Sequence, residues 1–196
     1  MNRRTSTTAV ALVLAAASAI GLGASSSPAG ATATADVAAH AAARTFTGTV
    51  TARTGLAQRT APSAHVRRSG AAFSRGSVLL FDCQLNGTAV DGNQRWYKIH
   101  GRDAWVAARY VRNVGAAPYA CTGGDWAYRV TVGTNVRQGP STKDRKIGSF
   151  ARGKDLNTRW IVSRGQSVHG NPNWVSVETS NGNRGWISVS NLRKVG

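Results

Sequence analysis

The side chains that could perform catalysis are few and scattered along this chain. A cysteine peptidase pairs a thiolate with a histidine, and a glycosidase places two carboxylates around one sugar. The chain has only two cysteines, Cys83 and Cys121, and its 4 histidines and 8 acidic residues fall at no paired or metal-ligand spacing. We therefore expect no catalytic residue, no metal and no cofactor, and we interpret the protein as non-enzymatic.

Aromatic and arginine side chains are more numerous than potential catalytic ones, and they are suited to binding a ligand. Aromatic faces stack on sugar rings or proline, while arginine forks grip carboxylates and phosphates. We assign Trp105 and Trp186 to a core, and for the other aromatics burial is the alternative to a binding role. The candidate ligand-binding residues are Arg59, Trp96, Tyr97, Arg109, Tyr110, Arg137, Trp174 and Arg184.

The charge balance is strongly basic. The chain has 25 Lys and Arg against 8 Asp and Glu, and without Arg3 and Arg4 a net charge of +15 remains, spread over both halves. Such an excess favours an anionic partner, for example a wall polymer, a lipid surface or nucleic acid. The alternative is that the arginines reflect only composition and solubility.

The first part of the chain has the pattern of an export signal. Arg3 and Arg4 precede an apolar run at residues 9–23, and small residues follow at 31–35, which predicts a cleaved signal peptide at 1–35. A membrane anchor is the alternative, but the apolar run is shorter than the roughly 20 residues that span a bilayer. We expect a secreted, extracellular protein with no membrane span after cleavage, and the cell wall is a candidate attachment site.

Export has a consequence for the two cysteines. In an oxidising compartment a disulfide between Cys83 and Cys121 is the expected state, with two free thiols as the alternative. The position aligned with Cys83 in the second half of the chain is Trp160.

The second half of the chain repeats the first at a spacing of 78 positions. Pro62-Ser63 recurs as Pro140-Ser141, and Gly92-Asn93 with Trp96 recurs as Gly170-Asn171 with Trp174. A repeat of this length is a copied domain. We predict an Ala-rich leader at 36–45, a first domain at 46–115, a linker with Cys121 at 116–126 and a second domain at 127–196.

Each copy has the pattern of short β-strands. Residues 174–179 alternate apolar and polar side chains, and Asn181-Gly182 is a hairpin turn signal. No segment after residue 45 has helical periodicity over three turns. The sequence predicts an all-β protein of two tandem barrels with about five strands each.

The order of these motifs resembles the bacterial Src-homology-3-like (SH3b) domains, in tandem. Their opening signature corresponds to residues 134–141 and, more degenerately, 56–63, and their closing motif corresponds to Gly185-Trp186-Ile187. The first copy departs from the pattern at Ala61 and Ala104, where the family has glycine. The resemblance implies two SH3-like barrels and places Trp96, Tyr110 and Trp174 at the rim of a groove.

The resemblance also implies a function. Domains of this kind are usually non-catalytic and attach exported proteins to peptidoglycan or other envelope material. We expect a monomer that binds peptidoglycan or an anionic wall polymer. The alternatives are recognition or inhibition of an exported protein or peptide, and general polyanion binding, including nucleic acid, which we favour less.

Overall fold

The computed structural model of the protein describes residues 45–195. The predicted signal peptide at 1–35 and all but the last residue of the predicted leader at 36–45 lie outside this range. Among the described residues no helix has the length and apolar character needed to cross a bilayer.

The first copy of the repeat forms one antiparallel sheet and a 3₁₀ turn at Ala108–Tyr110. Its strands are β1 (Phe46–Val50), β2 (Val78–Val90), β3 (Asn93–Ile99), β4 (Trp105–Ala107) and β5 (Val111–Val114). Their order in the sheet is β4-β3-β2-β1-β5. Asp91 and Gly92, with φ values of 45° and 80°, make the turn between β2 and β3, since a tight hairpin needs positive φ at both central residues.

The second copy forms two sheets and a 3₁₀ turn at Val189–Asn191. Its strands are β6 (Trp126–Val130), β7 (Thr134–Arg137), β8 (Lys146–Phe150), β9 (Asp155–Thr158), β10 (Ile161–Val162), β11 (Trp174–Glu178), β12 (Arg184–Ser188) and β13 (Leu192–Val195). One sheet has the order β13-β6-β9 and the other β10-β11-β12-β7-β8. The predicted turn at Asn181-Gly182 lies between β11 and β12, where Glu178 pairs with Arg184.

The two copies differ most at the strand that follows their first long loop. In the first copy, β2 bends at register shifts between Phe81 and Cys83 and between Asn86 and Val90, so one strand pairs with β1 at one end and β3 at the other. In the second copy the same segment is divided, and β9 pairs with β6 while β10 pairs with β11. Both copies therefore wind the same strand order into a bent sheet, and the prediction of an all-β, SH3-like fold is confirmed.

Each copy buries an apolar core of its own. In the first copy the core includes Phe81, Tyr97 and Val106, and in the second it includes Val175 and Ile187. Full burial of such a side chain contributes about 1.5–3 kcal/mol. These residues come from alternating positions of paired strands, as the period-two pattern predicted.

A third apolar cluster lies between the copies and belongs to both. Trp96 and Trp105 of the first copy pack in it with Trp174 and Trp186 of the second, and each of the four is at most 2% exposed. The assignment of Trp105 and Trp186 to a core is therefore confirmed, although the core is a shared one. All described residues fall in one compact unit, and the predicted boundaries of two separate domains stay a prediction.

The predicted disulfide is confirmed and fastens the linker to the first copy. Cys83 and Cys121 are bonded, with their Cα atoms 4.9 Å apart. Beside the bond, the Gln84 amide donates to the carbonyl of Tyr119 at 2.8 Å, and the Cys121 amide donates to the carbonyl of Gln84 at 2.9 Å. The linker therefore runs beside β2, where Ala120 forms an isolated parallel β-bridge with Gln84.

Candidate functional site

Three of the predicted ligand-binding aromatics are buried, and Trp96 and Trp174 do not lie at the groove rim where they were expected. Trp96, Tyr97 and Trp174 are 2%, 3% and 2% exposed. The indole N–H of Trp96 donates to the Thr88 carbonyl at 2.8 Å, and that of Trp174 donates to the Gln166 carbonyl at 2.7 Å. Trp96 and Trp174 lie on the strand face that a lone domain would leave open to a ligand, and here the other copy covers that face. Tyr97 instead packs in the first copy's own core.

Two of the predicted arginines support loops. Arg59 donates from Nη1 to the Val66 carbonyl at 2.9 Å, and Arg137, 78 positions later, donates from Nη1 to the Asp144 carbonyl at 2.9 Å. Burial, and after it the charge of Arg68, lowers the pKa of Arg59 below its ordinary value. Each guanidinium group therefore holds the loop that follows it in the chain. Arg59 lies in an isolated β-bridge and Arg137 at the end of β7.

The 3₁₀ turn of the first copy holds two further candidates. Arg109 is exposed and Tyr110 half-buried, and the Tyr110 hydroxyl donates to Asp91 Oδ2 at 2.5 Å. That hydrogen bond, and then the charge of the carboxylate, raises the pKa of Tyr110. The Tyr110 hydroxyl is thus bonded to the β2–β3 turn. Neither Arg109 nor Tyr110 is among the described residues that line the groove that contains Arg184.

Arg184 lies in a groove between the two copies, which we call the junction groove. Its largest part, the basic section, has a volume of about 800 Å³. Three cationic and four amide side chains line this section, and no carboxylate is among its described lining residues. These seven residues are Arg145, Lys146, Arg184, Asn86, Gln94, Gln138 and Asn183.

The junction groove continues beyond the basic section. Asn86 and Arg184 also line a narrow section of about 90 Å³, together with Leu85 and Trp186. Leu85 and Arg184 then line a third section of about 530 Å³, which contains Trp160 and which we call the tryptophan section. Arg184 is common to all three sections and lies where an extended ligand would pass from one to the next.

Arg184 is free to turn toward a ligand. Its Nε atom is 3.9 Å from Glu178 Oε2, and both side chains are 61% exposed. A long, exposed ion pair of this kind contributes little to stability. The guanidinium can therefore exchange Glu178 for a ligand carboxylate or phosphate at small cost.

Trp160 contributes an unused hydrogen-bond donor. It packs against the shared cluster from its edge, and its Nε1 is buried without a partner among the described residues. A buried donor without an acceptor carries a desolvation penalty. The half-buried indole offers an apolar face to the tryptophan section.

A buried cluster at the contact of the copies contains an acid, a histidine and a hydroxyl. Asp144 Oδ1 is 2.9 Å from His65 Nδ1 and also accepts a hydrogen bond from the Thr88 hydroxyl. In a nucleophilic triad the hydroxyl donates to the histidine, whereas here it donates to the carboxylate. This arrangement holds the copies together and activates no nucleophile. Among residues 45–195 no group of three or more His, Cys, Asp or Glu could hold a metal.

Sequence reasoning missed most of the groove residues. Only Arg184 was among the candidates, whereas Arg145 and Lys146 were not. One signal was available, because these two align with Arg67 and Arg68 of the first copy, so a basic pair recurs at the same place after each Pro-Ser turn. Nothing in the sequence indicated the four Asn and Gln side chains of the basic section, because this groove exists only where the two copies meet.

Comparisons with known proteins agree with the fold of the second copy. Residues 132–193 match the family model described as the bacterial SH3 domain. A search of curated proteins found no match.

Solved structures were also compared. NlpC2 from Trichomonas vaginalis is 12% identical over 77% of this chain and 48% of that chain, with a TM-score of 0.30. NlpC1 from the same organism is 10% identical over 76% of this chain and 46% of that one, with a TM-score of 0.30. Ly7917 is 18% identical over 73% and 55%, with a TM-score of 0.28. The chain spans about half the length of these structures.

Proposed function

We propose that the protein is a secreted, non-catalytic binding protein whose two SH3-like domains attach it to peptidoglycan or an anionic polymer of the cell envelope. The observation that carries this proposal is the basic section of the junction groove. Arg145, Lys146 and Arg184 converge there with four amide side chains. Cations hold carboxylates or phosphates, and amides pair with hydroxyl and carbonyl groups, so the lining matches a charged glycan or glycopeptide.

The shape of the groove supports an extended ligand. The basic, narrow and tryptophan sections share residues at each step, so one polymer segment can lie along all three. A sugar ring in the tryptophan section would stack on the half-buried indole of Trp160. The excess of basic residues would speed the encounter with an anionic surface.

Co-sedimentation with purified peptidoglycan tests the proposal, using sacculi with and without their anionic polymer. We expect the mature protein to pellet, and we expect the variant Arg145→Ala, Lys146→Ala, Arg184→Ala to bind at least about 10-fold more weakly. The matched control is Arg75→Ala, Arg112→Ala, Lys194→Ala, which removes the same charge from exposed positions outside the groove. Failure of the wild type to pellet with either material at low salt would contradict the proposal.

The alternatives give different outcomes in the same assay. If both triple variants lose binding equally, and if affinity falls steeply with salt for any polyanion, the protein is a general polyanion binder. If protein-free sacculi fail to bind but a pull-down from culture supernatant recovers one specific protein, the ligand is an exported protein or peptide.

A further inference from the structure

A second groove lies elsewhere on the contact between the two copies. Its volume is about 350 Å³, and its lining includes Thr60, His65, Arg67, Arg164, Gln166 and Pro172. The first three come from the first copy and the last three from the second. Arg67 and Arg164 were not among the ligand-binding residues predicted from the sequence.

The second groove is the repeat-related counterpart of the basic section. A shift of 78 positions takes Thr60 to Gln138 and Arg67 to Arg145, from the second groove to the basic section. The same shift takes Asn86 to Arg164 and Gln94 to Pro172, from the basic section to the second groove. Four lining positions are therefore shared, and the copies exchange roles between the two grooves.

Hydrogen bonds between the copies reach equivalent backbone carbonyls. The Asn86 carbonyl accepts from Trp186 Nε1 of the second copy at 2.8 Å. The equivalent carbonyl, that of Arg164, accepts from Thr60 Oγ1 of the first copy at 2.7 Å. The donors, Trp186 and Thr60, are not equivalent positions, but lining positions that recur with the copies exchanged are the mark of a two-fold arrangement. The contact between the copies is thus approximately two-fold at these two grooves.

The chemistry of the basic section is retained in its counterpart. Arg67 and Arg164 supply two guanidinium groups, and no carboxylate is among the described lining residues. Arg164 makes only long, exposed contacts with Asp103. Its Nη1 donates to the Asp103 carbonyl at 3.3 Å and is 3.8 Å from Asp103 Oδ2, and the two side chains are 41% and 52% exposed. His65 bonds Asp144 through Nδ1, which leaves Nε2 for a ligand.

We infer that the second groove is a second anion-binding site, which takes a single carboxylate or phosphate group between Arg67 and Arg164. It is less than half the volume of the basic section, so it fits one charged group and not a length of polymer. The inference rests on the proposed function, since it assigns to the counterpart groove the ligand chemistry of the basic section. One molecule would then hold two anionic groups of an envelope polymer at two places.

Titration of the full mature protein with inorganic phosphate at low salt tests this. Binding is monitored by calorimetry and by the Arg side-chain Nε–Hε signals in NMR spectra. We expect two sites in the wild type and about half the stoichiometry in Arg67→Ala, Arg164→Ala. Arg145→Ala, Arg184→Ala should also remove one site, and Arg75→Ala, Arg112→Ala should remove none. Circular dichroism melting checks the fold, and Arg67→Gln, Arg164→Gln replaces the first variant if that one is unfolded.

The outcomes separate the two proposals. Wild-type stoichiometry in the Arg67, Arg164 variant, or no phosphate binding at all, overturns the second site. The wall-binding assay then tests the proposed function separately. If the Arg145, Arg184 variant keeps wild-type stoichiometry and the Arg67, Arg164 variant does not, the second site stands and the basic section is not the binding groove.

Discussion

Trp186 donates its indole N–H to the backbone carbonyl of Asn86 at 2.8 Å, across 100 positions of the chain. Both residues line the narrow section of the junction groove. The bond therefore fixes the width of the groove as well as the contact between the copies.

Removal of this bond should weaken the contact between the copies. Trp186→Phe keeps an aromatic ring but leaves the Asn86 carbonyl unpaired, so we expect a loss of about 1–2 kcal/mol in the free energy of unfolding. Urea denaturation measures it. Trp126→Phe is the control, because no hydrogen bond of that indole is present among the described residues. Equal losses in both variants would show that ring size, and not the hydrogen bond, is responsible.

Asp144 should be the acidic residue on which stability depends most. Its side chain is fully buried between the copies beside His65, with Thr88 as a second partner. Asp144→Ala leaves both partners unsatisfied, and we expect a loss of about 3 kcal/mol. Asp103→Ala, which removes an exposed carboxylate, should cost less than about 1 kcal/mol. Thermal melting of both variants checks the contrast, and similar melting temperatures would contradict it.

The disulfide should stabilise the protein by limiting the unfolded chain. It joins residues 38 positions apart, and closing a loop of that length contributes about 4 kcal/mol in the chain-entropy account. We expect Cys83→Ala, Cys121→Ala to melt at a lower temperature than the wild type. The wild type with reductant should approach the variant, and the variant itself should not respond to reductant. A wild type that melts identically with and without reductant would refute the prediction.

Trp160→Phe should separate binding from stability. The substitution keeps an apolar ring but removes a buried indole N–H that has no partner, so the free energy of unfolding should stay the same or rise slightly. Binding to wall material should become about 3-fold weaker, because the smaller phenyl ring offers a sugar less stacking area. Melting and co-sedimentation measure the two effects. Unchanged binding would place the ligand outside the tryptophan section.

Asp155 should make stability fall in acid. The hydrogen bond from Arg129, which joins β9 to β6, lowers the pKa of Asp155 below its ordinary value of 3.8. A carboxyl with a depressed folded-state pKa stabilises the fold above the unfolded-state pKa, and the contribution is lost as pH falls through the folded value.

Melting temperatures in buffers below about pH 4 test this sign. Asp155→Asn should lose less stability there than the wild type, while Asp125→Asn, which alters an exposed carboxylate, should follow the wild type. A steeper acid loss in Asp155→Asn would contradict the prediction. Because Asp155 and Arg129 are exposed, the difference should be small and should shrink in high salt.

The sequence predicts the strands, but it does not predict what packs against them. The hairpin at Asp91-Gly92, the bond between Cys83 and Cys121 and the cores within each copy follow from local pattern and turn chemistry. The alternation around Trp174 identifies an apolar face, but it does not say whether solvent, a ligand or another copy covers that face. The tryptophan was therefore assigned to a groove rim when it lies in the shared cluster.

The sequence could not predict the junction groove or the burial of Asp144, and the reason is the same for both. Arg145 and Asn86 lie in different copies, and their meeting depends on how two folded surfaces pack, which no spacing within one copy encodes. Asp144 stands where the first copy has Val66. A carboxylate that replaces an apolar residue suggests solvent exposure, and only the position of His65 and Thr88 explains its burial.

The shared tryptophan cluster makes the duplication difficult to reverse. Once each copy covers the other's apolar surface, a deletion of either one would leave Trp96 and Trp105, or Trp174 and Trp186, open to water, and the remaining half would be prone to aggregate. The two copies therefore form a single folding unit. A protease that cuts between them should yield two fragments that stay associated, and not two working modules.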